Sequence, residues 1–216
     1  MSLADKKIIR IEPTNPGFSI TWNLGLRCNF DCMYCPTWLH NTTDSDSSFK
    51  ELQNKWLNIF SKTQPRQLKY KIAFTGGEVT VNKSFLPFLQ WLDRNYQEYI
   101  SEIGFTTNGS ANKKYYSDAL AINSVTFISF STHSEFFNEK KFFDTVISVH
   151  KRSLELKKSI HVNIMDEYWN KEKSTAYSDF LTNRKINNSI NKLDYSQKIR
   201  EDFKINPNKK EFNFNG

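Results

Sequence analysis

The chain has no run of about 18 consecutive apolar residues, so it offers no segment suited to crossing a membrane as a helix. Its opening stretch, MSLADKKIIRIEPTNPG, has charges with no long apolar region after them. That argues against a secretory leader and predicts a cytoplasmic protein. Glycine and proline are sparse, at seven and six in 216 residues, which speaks against low-complexity sequence and flexible linkers. Cysteine is sparser still, at three. An odd count in a chain expected under reducing conditions fits a disulfide framework badly. There is no G-x-G-x-x-G, no Walker loop, no H-E-x-x-H and no serine nucleophile elbow, so the common dinucleotide, P-loop, zincin and hydrolase signatures are missing.

What is plentiful is aromatic. The chain is 38% hydrophobic and 15% aromatic, with 18 Phe and 5 Trp. That is enough for one substantial core, and the length suits a single domain. The net charge of +7 arises from 30 basic and 23 acidic side chains. A basic balance can signal nucleic acid or an anionic ligand. Here the lysine pairs at 6–7, 113–114, 140–141, 157–158 and 209–210 are scattered and form no single stripe.

Strand and helix patterns alternate along the chain. FSITWNLGL (18–26) reads as a strand by its alternation of apolar and polar residues. After a polar loop, Ser47 or Ser48 can cap a helix over 49–62, with Phe49, Leu52, Trp56, Ile59 and Phe60 on one face. YKIAFTGG (70–77) reads as a buried parallel strand ending at two glycines. A helix over 83–98 tolerates Pro87 in its first turn. EIGFTTNG (102–109), a short helix at 112–121, SVTFISFST (124–132), a helix at 138–156 and SIHVNIM (159–165) continue the series. Repeated β-α order predicts an α/β fold with parallel strands whose C-terminal ends share one side. Beyond Met165 the signal weakens. DEYWNKEKSTAYSDFLTNRK and YSQKIREDFKI read as helical, NPNKKEFNFNG as a polar tail, and no sixth strand declares itself. The core is therefore expected over 18–165, with a helical extension and tail over 166–216, all in one domain.

All three cysteines, Cys28, Cys32 and Cys35, fall within CNFDCMYC, directly after the first predicted strand. This is where β-α folds build sites. Three readings compete. A structural zinc wants four ligands and would need His40 as the fourth. Three inert buried thiols would suit the burial habit of cysteine but not so polar a loop. An iron–sulfur cluster held by three thiolates would leave one iron open to a ligand, which accounts for the count, the spacing and the loop position together.

CNFDCMYC resembles the C-x3-C-x2-C signature of the radical S-adenosylmethionine (radical SAM) superfamily, including an aromatic residue, Tyr34, before the last cysteine. FTGGEVT (74–80) resembles that family's GGE motif, although Val79 stands where many relatives have proline. The resemblance implies a partial (β/α)6 barrel, here shortened to about five units if the sixth strand is missing. It implies a [4Fe-4S] cluster on Cys28, Cys32 and Cys35, with S-adenosylmethionine (SAM) on the open iron. The reduced cluster of such enzymes cleaves SAM to a 5′-deoxyadenosyl radical that takes hydrogen from a substrate. On the same basis Tyr34 is expected near adenine, and Gly76, Gly77 and Glu78 at the SAM amino group. The glycines would let the ligand approach the backbone, and the carboxylate would meet an ammonium. Further SAM contacts are expected from Asn108 in the TTNG turn, from Ser129 and Ser131, and from Asn163 and Ile164. Alternation puts Asn163 with Met165 and Ile164 with Val162 on opposite faces, and it does not say which pair lines the barrel.

His133, with Glu135 beside it, could touch substrate or simply sit in a loop before a helix, and the loop reading is the simpler. His150 reads as a cation near a helix C-terminus, and His40 and His161 have no evident partner. The resemblance leaves the substrate open between a small molecule and a peptide. It also implies an electron donor such as a flavodoxin or ferredoxin. Two other readings stand beside the enzyme. One is a non-catalytic or partner-dependent iron–sulfur or SAM-binding module, motivated by the missing strand. The other is a basic RNA-binding protein, motivated by the charge.

Overall fold

The computed structural model describes residues 8–14, 17–35, 45–64, 68–167 and 171–193. The helix expected in YSQKIREDFKI, the polar tail and His40 lie outside these residues.

Seven strands form one sheet in sequence order: β1 (Ile8–Thr14), β2 (Gly17–Asn23), β3 (Lys69–Thr75), β4 (Ile100–Thr107), β5 (Val125–Ser131), β6 (Ser159–Asp166) and β7 (Asn188–Lys192). β1 runs antiparallel to β2, and β2 through β7 are all parallel. The helices α1 (Phe49–Thr63), α2 (Phe85–Tyr96), α3 (Lys113–Ala121), α4 (Glu139–Glu155) and α5 (Lys171–Thr182) connect the parallel strands in turn. Among the described residues the sheet is open: β1 and β7 are its two edges and do not pair. This is a six-stranded parallel half-barrel with an antiparallel strand added at one edge.

Two sequence expectations need correction. The sheet has a sixth parallel strand, β7, which pairs with β6 from Val162↔Asn188 to Asp166↔Lys192, so the five-unit version does not apply. NSINK escaped notice because it has one apolar residue and none of its side chains is fully buried. The strand β1 was not anticipated either. The five other strands lie where the pattern put them, with β2, β3 and β4 ending two or three residues early as the chain leaves for the loops described below.

Alternation decides what each strand shows to which side. On β3, Tyr70, Ile72 and Phe74 are buried beneath the helices. On β6, Ile160, Val162 and Ile164 are buried in the same core. The opposite, concave face carries Ser129 and Ser131 of β5, Asn163 and Met165 of β6, and Ser189 and Asn191 of β7. Helix α1 starts with a capping box, in which Ser48 accepts from the Glu51 amide and Glu51 accepts from the Ser48 amide. Its Trp56 packs edge-on against Tyr70 and Tyr96 at ring separations of 5.1 and 5.4 Å, an arrangement that aromatic quadrupoles favour.

The α5–β7 unit belongs to this core. Leu181 and Ile186 are buried at 0% and 2% exposure, and the Val162 amide donates to the Asn187 carbonyl at 2.9 Å. Truncating Leu181 to alanine is expected to cost about 2–5 kcal/mol of stability, measured by urea denaturation. A change near zero would show that this last unit is peripheral.

Candidate functional site

The site lies at the C-terminal ends of the parallel strands and begins where β2 and β3 stop. Their pairing continues past the strands: the Leu24 amide donates to the Thr75 carbonyl (2.9 Å), the Gly77 amide to Gly25 (2.9 Å) and the Glu78 amide to Arg27 (2.8 Å). This brings the segment entering the cysteine loop alongside the GGE turn. The two glycines are required by that approach. Gly76 has φ +146°, and a Cβ there would sit 2.6 Å from the Gly25 oxygen. A Cβ on Gly77 would sit 2.2 Å from the Arg27 oxygen. The expectation that the glycines make room for a ligand is thus corrected in part: the space beside them is filled by the backbone of Gly25 and Arg27. Both residues nonetheless line the cavity described below.

Glu78 is 3% exposed. Oε1 accepts from the Thr80 amide (3.0 Å), the Thr80 hydroxyl (2.6 Å) and the Thr107 hydroxyl (2.8 Å), and Oε2 accepts from the Asn108 amide. Burial pushes its carboxyl above the ordinary range despite these bonds. Oε2 thus carries one donor where Oε1 carries three, which makes it the less occupied oxygen. Asn108 also reaches the cysteine loop, its side-chain amide donating to Asn29 Oδ1 at 2.9 Å and lying 4.0 Å from Cys28 Sγ.

The far end of the cysteine loop is held from β5 and β6. Glu135 accepts from the Met33 amide at 2.9 Å. His133 Nδ1 shares a hydrogen bond with the Tyr34 hydroxyl and lies 3.5 Å from Cys32 Sγ. The Tyr34 and His133 rings stack, with centroids 6.0 Å apart and planes at 9°. Burial lowers the His133 pKa to about 4, so the ring is neutral at pH 7. Just past β6, Glu167 accepts from the Ser134 amide at 3.1 Å and from the Ser134 hydroxyl. It is 1% exposed. Burial pushes its carboxyl up to about 7, with the Glu135 charge adding to the rise. His133 and Glu135 therefore sit at the cysteine loop, where the sequence had suggested an ordinary loop. Glu167 had drawn no attention, because its role depends on a loop about thirty residues earlier.

A cavity of about 430 Å³ opens between these elements. Cys28, Cys32 and Cys35 line it together with Gly76, Gly77 and Glu78. None of the three cysteines is in a disulfide; Cys32 is buried and the others are half-buried. Burial is the largest influence on Cys28 and Cys32 and raises both thiols above their ordinary pKa. Among the described residues no three Cys, His, Asp or Glu side chains converge closely enough to hold a single metal ion. A mononuclear site needs all its donors in one coordination shell, whereas a cluster takes each thiolate on a different iron. The donor chemistry, three thiols lining one roomy cavity, fits the cluster.

Of the remaining expected residues, Tyr34, Asn108 and Ser131 line the cavity, as does Met165. Ser129 and Asn163 share the concave face but bond to one another, Asn163 Nδ2 donating to Ser129 Oγ at 2.7 Å. Asn163 Oδ1 is taken by Asn191 at 3.0 Å. The expectation for the Ile164 side chain is corrected: it is fully buried in the core behind the sheet, and Met165 occupies the cavity side. His161, without an evident partner in sequence, shares a 2.9 Å hydrogen bond with Ser189.

No family model matches the chain. GTP 3′,8-cyclase of Pasteurella multocida is 33% identical over 82 residues, which cover 38% of this chain and 23% of that protein. SuiB of Streptococcus suis, solved with its precursor peptide SuiA, superposes with a TM-score of 0.54 at 18% identity, covering 81% of this chain and 39% of SuiB. The anSMEcpe structure with bound SAM and the Cp18Cys peptide gives 0.58 at 14% identity, covering 80% of this chain and 50% of that one. The chain thus shares its fold with SuiB and anSMEcpe and a stretch of sequence with GTP 3′,8-cyclase. It spans about a quarter of the curated relative's length and half or less of these two structures.

Two predictions test this geometry. Gly77→Ala forces a methyl group into the Arg27 backbone, where overpacking is expected to cost about 3 kcal/mol or more. Urea denaturation reads it, and a midpoint equal to wild type would remove the close approach. Glu167 keeps its proton in the folded chain up to about pH 7, but in the unfolded chain only up to the ordinary value of 4.5. Its contribution to stability therefore falls as pH rises between these values, by about 3 kcal/mol in all, and stays low above pH 7. In the cluster-free protein, Glu167→Gln should lack this slope, so its stability relative to wild type should rise from pH 5 to pH 8. A constant difference would contradict the buried acid.

Proposed function

We propose that the chain is a radical SAM enzyme that holds a [4Fe-4S] cluster on Cys28, Cys32 and Cys35 and binds SAM in the adjoining cavity. The observation that carries this reading is that three cysteines outside any disulfide line one cavity of about 430 Å³ together with the Glu78 turn. That volume falls within the range of roughly 300–1,000 Å³ typical of small-molecule sites. When bound and reduced, the cluster supplies the electron that cleaves SAM to a 5′-deoxyadenosyl radical. The chain's own residues bind and orient. Glu78 Oε2, the less occupied oxygen, would accept from the SAM ammonium, a charge-assisted bond that would also relieve the burial of the carboxylate. Asn108 supports Cys28 while its amide fixes Glu78. Tyr34, Ser131 and Met165 line the cavity.

The substrate is a small molecule or a peptide. SuiB and anSMEcpe have been solved with peptides, and the present cavity reaches Met165 and Leu193 beside the edge strand β7. Its described lining contains no Lys or Arg. A polyphosphate would need such donors, so the substrate named in GTP 3′,8-cyclase is not carried over. The non-catalytic reading was motivated by a missing sixth strand, and β7 removes that ground.

The test is anaerobic reconstitution with iron and sulfide, reduction, addition of SAM and assay of 5′-deoxyadenosine. Wild type should form the product and Cys32→Ala should not. A wild-type protein that takes up a cluster and cleaves no SAM, or that takes up zinc and no cluster, would overturn the reading.

A further inference from the structure

The five residues from Phe30 to Tyr34 must hold their shape for the three thiols to face one centre, and part of that hold comes from outside the loop. The Met33 amide, between the second and third cysteines, finds its acceptor on Glu135, 102 positions away in sequence. The neighbouring contacts converge on the same short segment. His133 bonds to the Tyr34 hydroxyl, approaches Cys32 Sγ and stacks on the Tyr34 ring. Phe30 packs edge-on to His133 at 6.0 Å and stacks on Phe136 at 5.7 Å. The segment is itself braced. Ser134 donates twice to Glu167, and the Phe136 and Phe137 amides both return to the His133 carbonyl at 3.0 Å.

We propose that His133 and Glu135 are positioning residues that lock the cysteine loop, Glu135 by accepting the Met33 amide and His133 by gripping Tyr34 and the Cys32 sulfur. The proposal rests on the cluster reading above for its purpose, but not for its geometry. It distinguishes Glu135 from an acid or base in the reaction. Its carboxylate is turned to a backbone amide of the loop, and an uncharged acceptor of the same shape would serve. It also gives His133 a role toward the cluster, because its ring nitrogen lies 3.5 Å from a sulfur that would ligate iron, and polar groups around such sulfurs tune a cluster's electronic properties.

The experiment compares the full-length chain with Glu135→Gln, Glu135→Leu and His133→Phe. In the cluster-free proteins, amide hydrogen exchange is read at Met33. In proteins reconstituted with iron and sulfide, the rate of iron loss to a chelator and the electron paramagnetic resonance spectrum of the reduced cluster are read. Glu135→Leu should speed Met33 exchange and iron loss by about 10-fold or more, the scale of a hydrogen bond to a charged group. Glu135→Gln should stay within about 3-fold of wild type, as the retained acceptor requires. His133→Phe keeps a ring for stacking and loses the nitrogen, so it should bind iron while its resonance spectrum shifts. Met33 exchange in Glu135→Leu equal to wild type would overturn the proposal. So would Glu135→Gln as impaired as Glu135→Leu, or a His133→Phe spectrum identical to wild type. If Glu135→Leu does not fold, the Gln and Phe variants still decide. The exchange measurement needs no cluster, so failure of the lock and failure of the cluster reading are told apart.

Discussion

Everything at the mouth of this half-barrel depends on the pairing that continues past the ends of β2 and β3. Two more backbone hydrogen bonds, from Gly77 to Gly25 and from Glu78 to Arg27, keep the two chains side by side after the regular strands have stopped. Side chains at 76 and 77 would prevent it. Because the pairing holds, Cys28 emerges beside the Glu78 turn, and Asn108 at the end of β4 can touch both. The cysteine loop is then fixed at its start from β4 and at its end from β5. The sheet's parallel order is what brings these strand ends to one side.

The polar groups around the cavity are buried and answered by specific partners. Glu78 is surrounded by hydroxyl and amide donors, His133 is neutral, and Glu167 carries Ser134. Cys28 and Cys32 are also disfavoured as thiolates while they stand alone, since burial opposes their charge. Ligation would have to displace their protons, which couples metal uptake to pH. A positively charged ligand entering such a place meets little competing cationic charge and a carboxylate whose desolvation is already built into the fold.

Much of this was legible in the sequence, and the parts that were not share a cause. Apolar runs ending in glycine or polar turns marked β2 to β6, and cysteine spacing with the GGE turn marked the site. Periodicity could not say which face of β6 looks into the cavity, because Asn163–Met165 and Val162–Ile164 are equally regular, and only the packing of Ile164 in the core decides it. The relation of His133 and Glu135 to the cysteine loop spans about a hundred positions and leaves no local pattern. Glycine at 76 and 77 was read as space for a ligand, and the structure fills that space with chain. The strand β7 was missed because strand signals are signals of burial, and NSINK is scarcely buried.

That last feature has its own consequence. A strand at the rim of an open sheet presents a row of unused backbone donors and acceptors to any other extended chain. Among the described residues β7 pairs on one side, with β6. Its composition of two asparagines, a serine and a terminal lysine makes a poor template for self-association, and its lone isoleucine is 42% exposed. The polarity that conceals this strand from a reader of the sequence also discourages molecules of the protein from joining edge to edge.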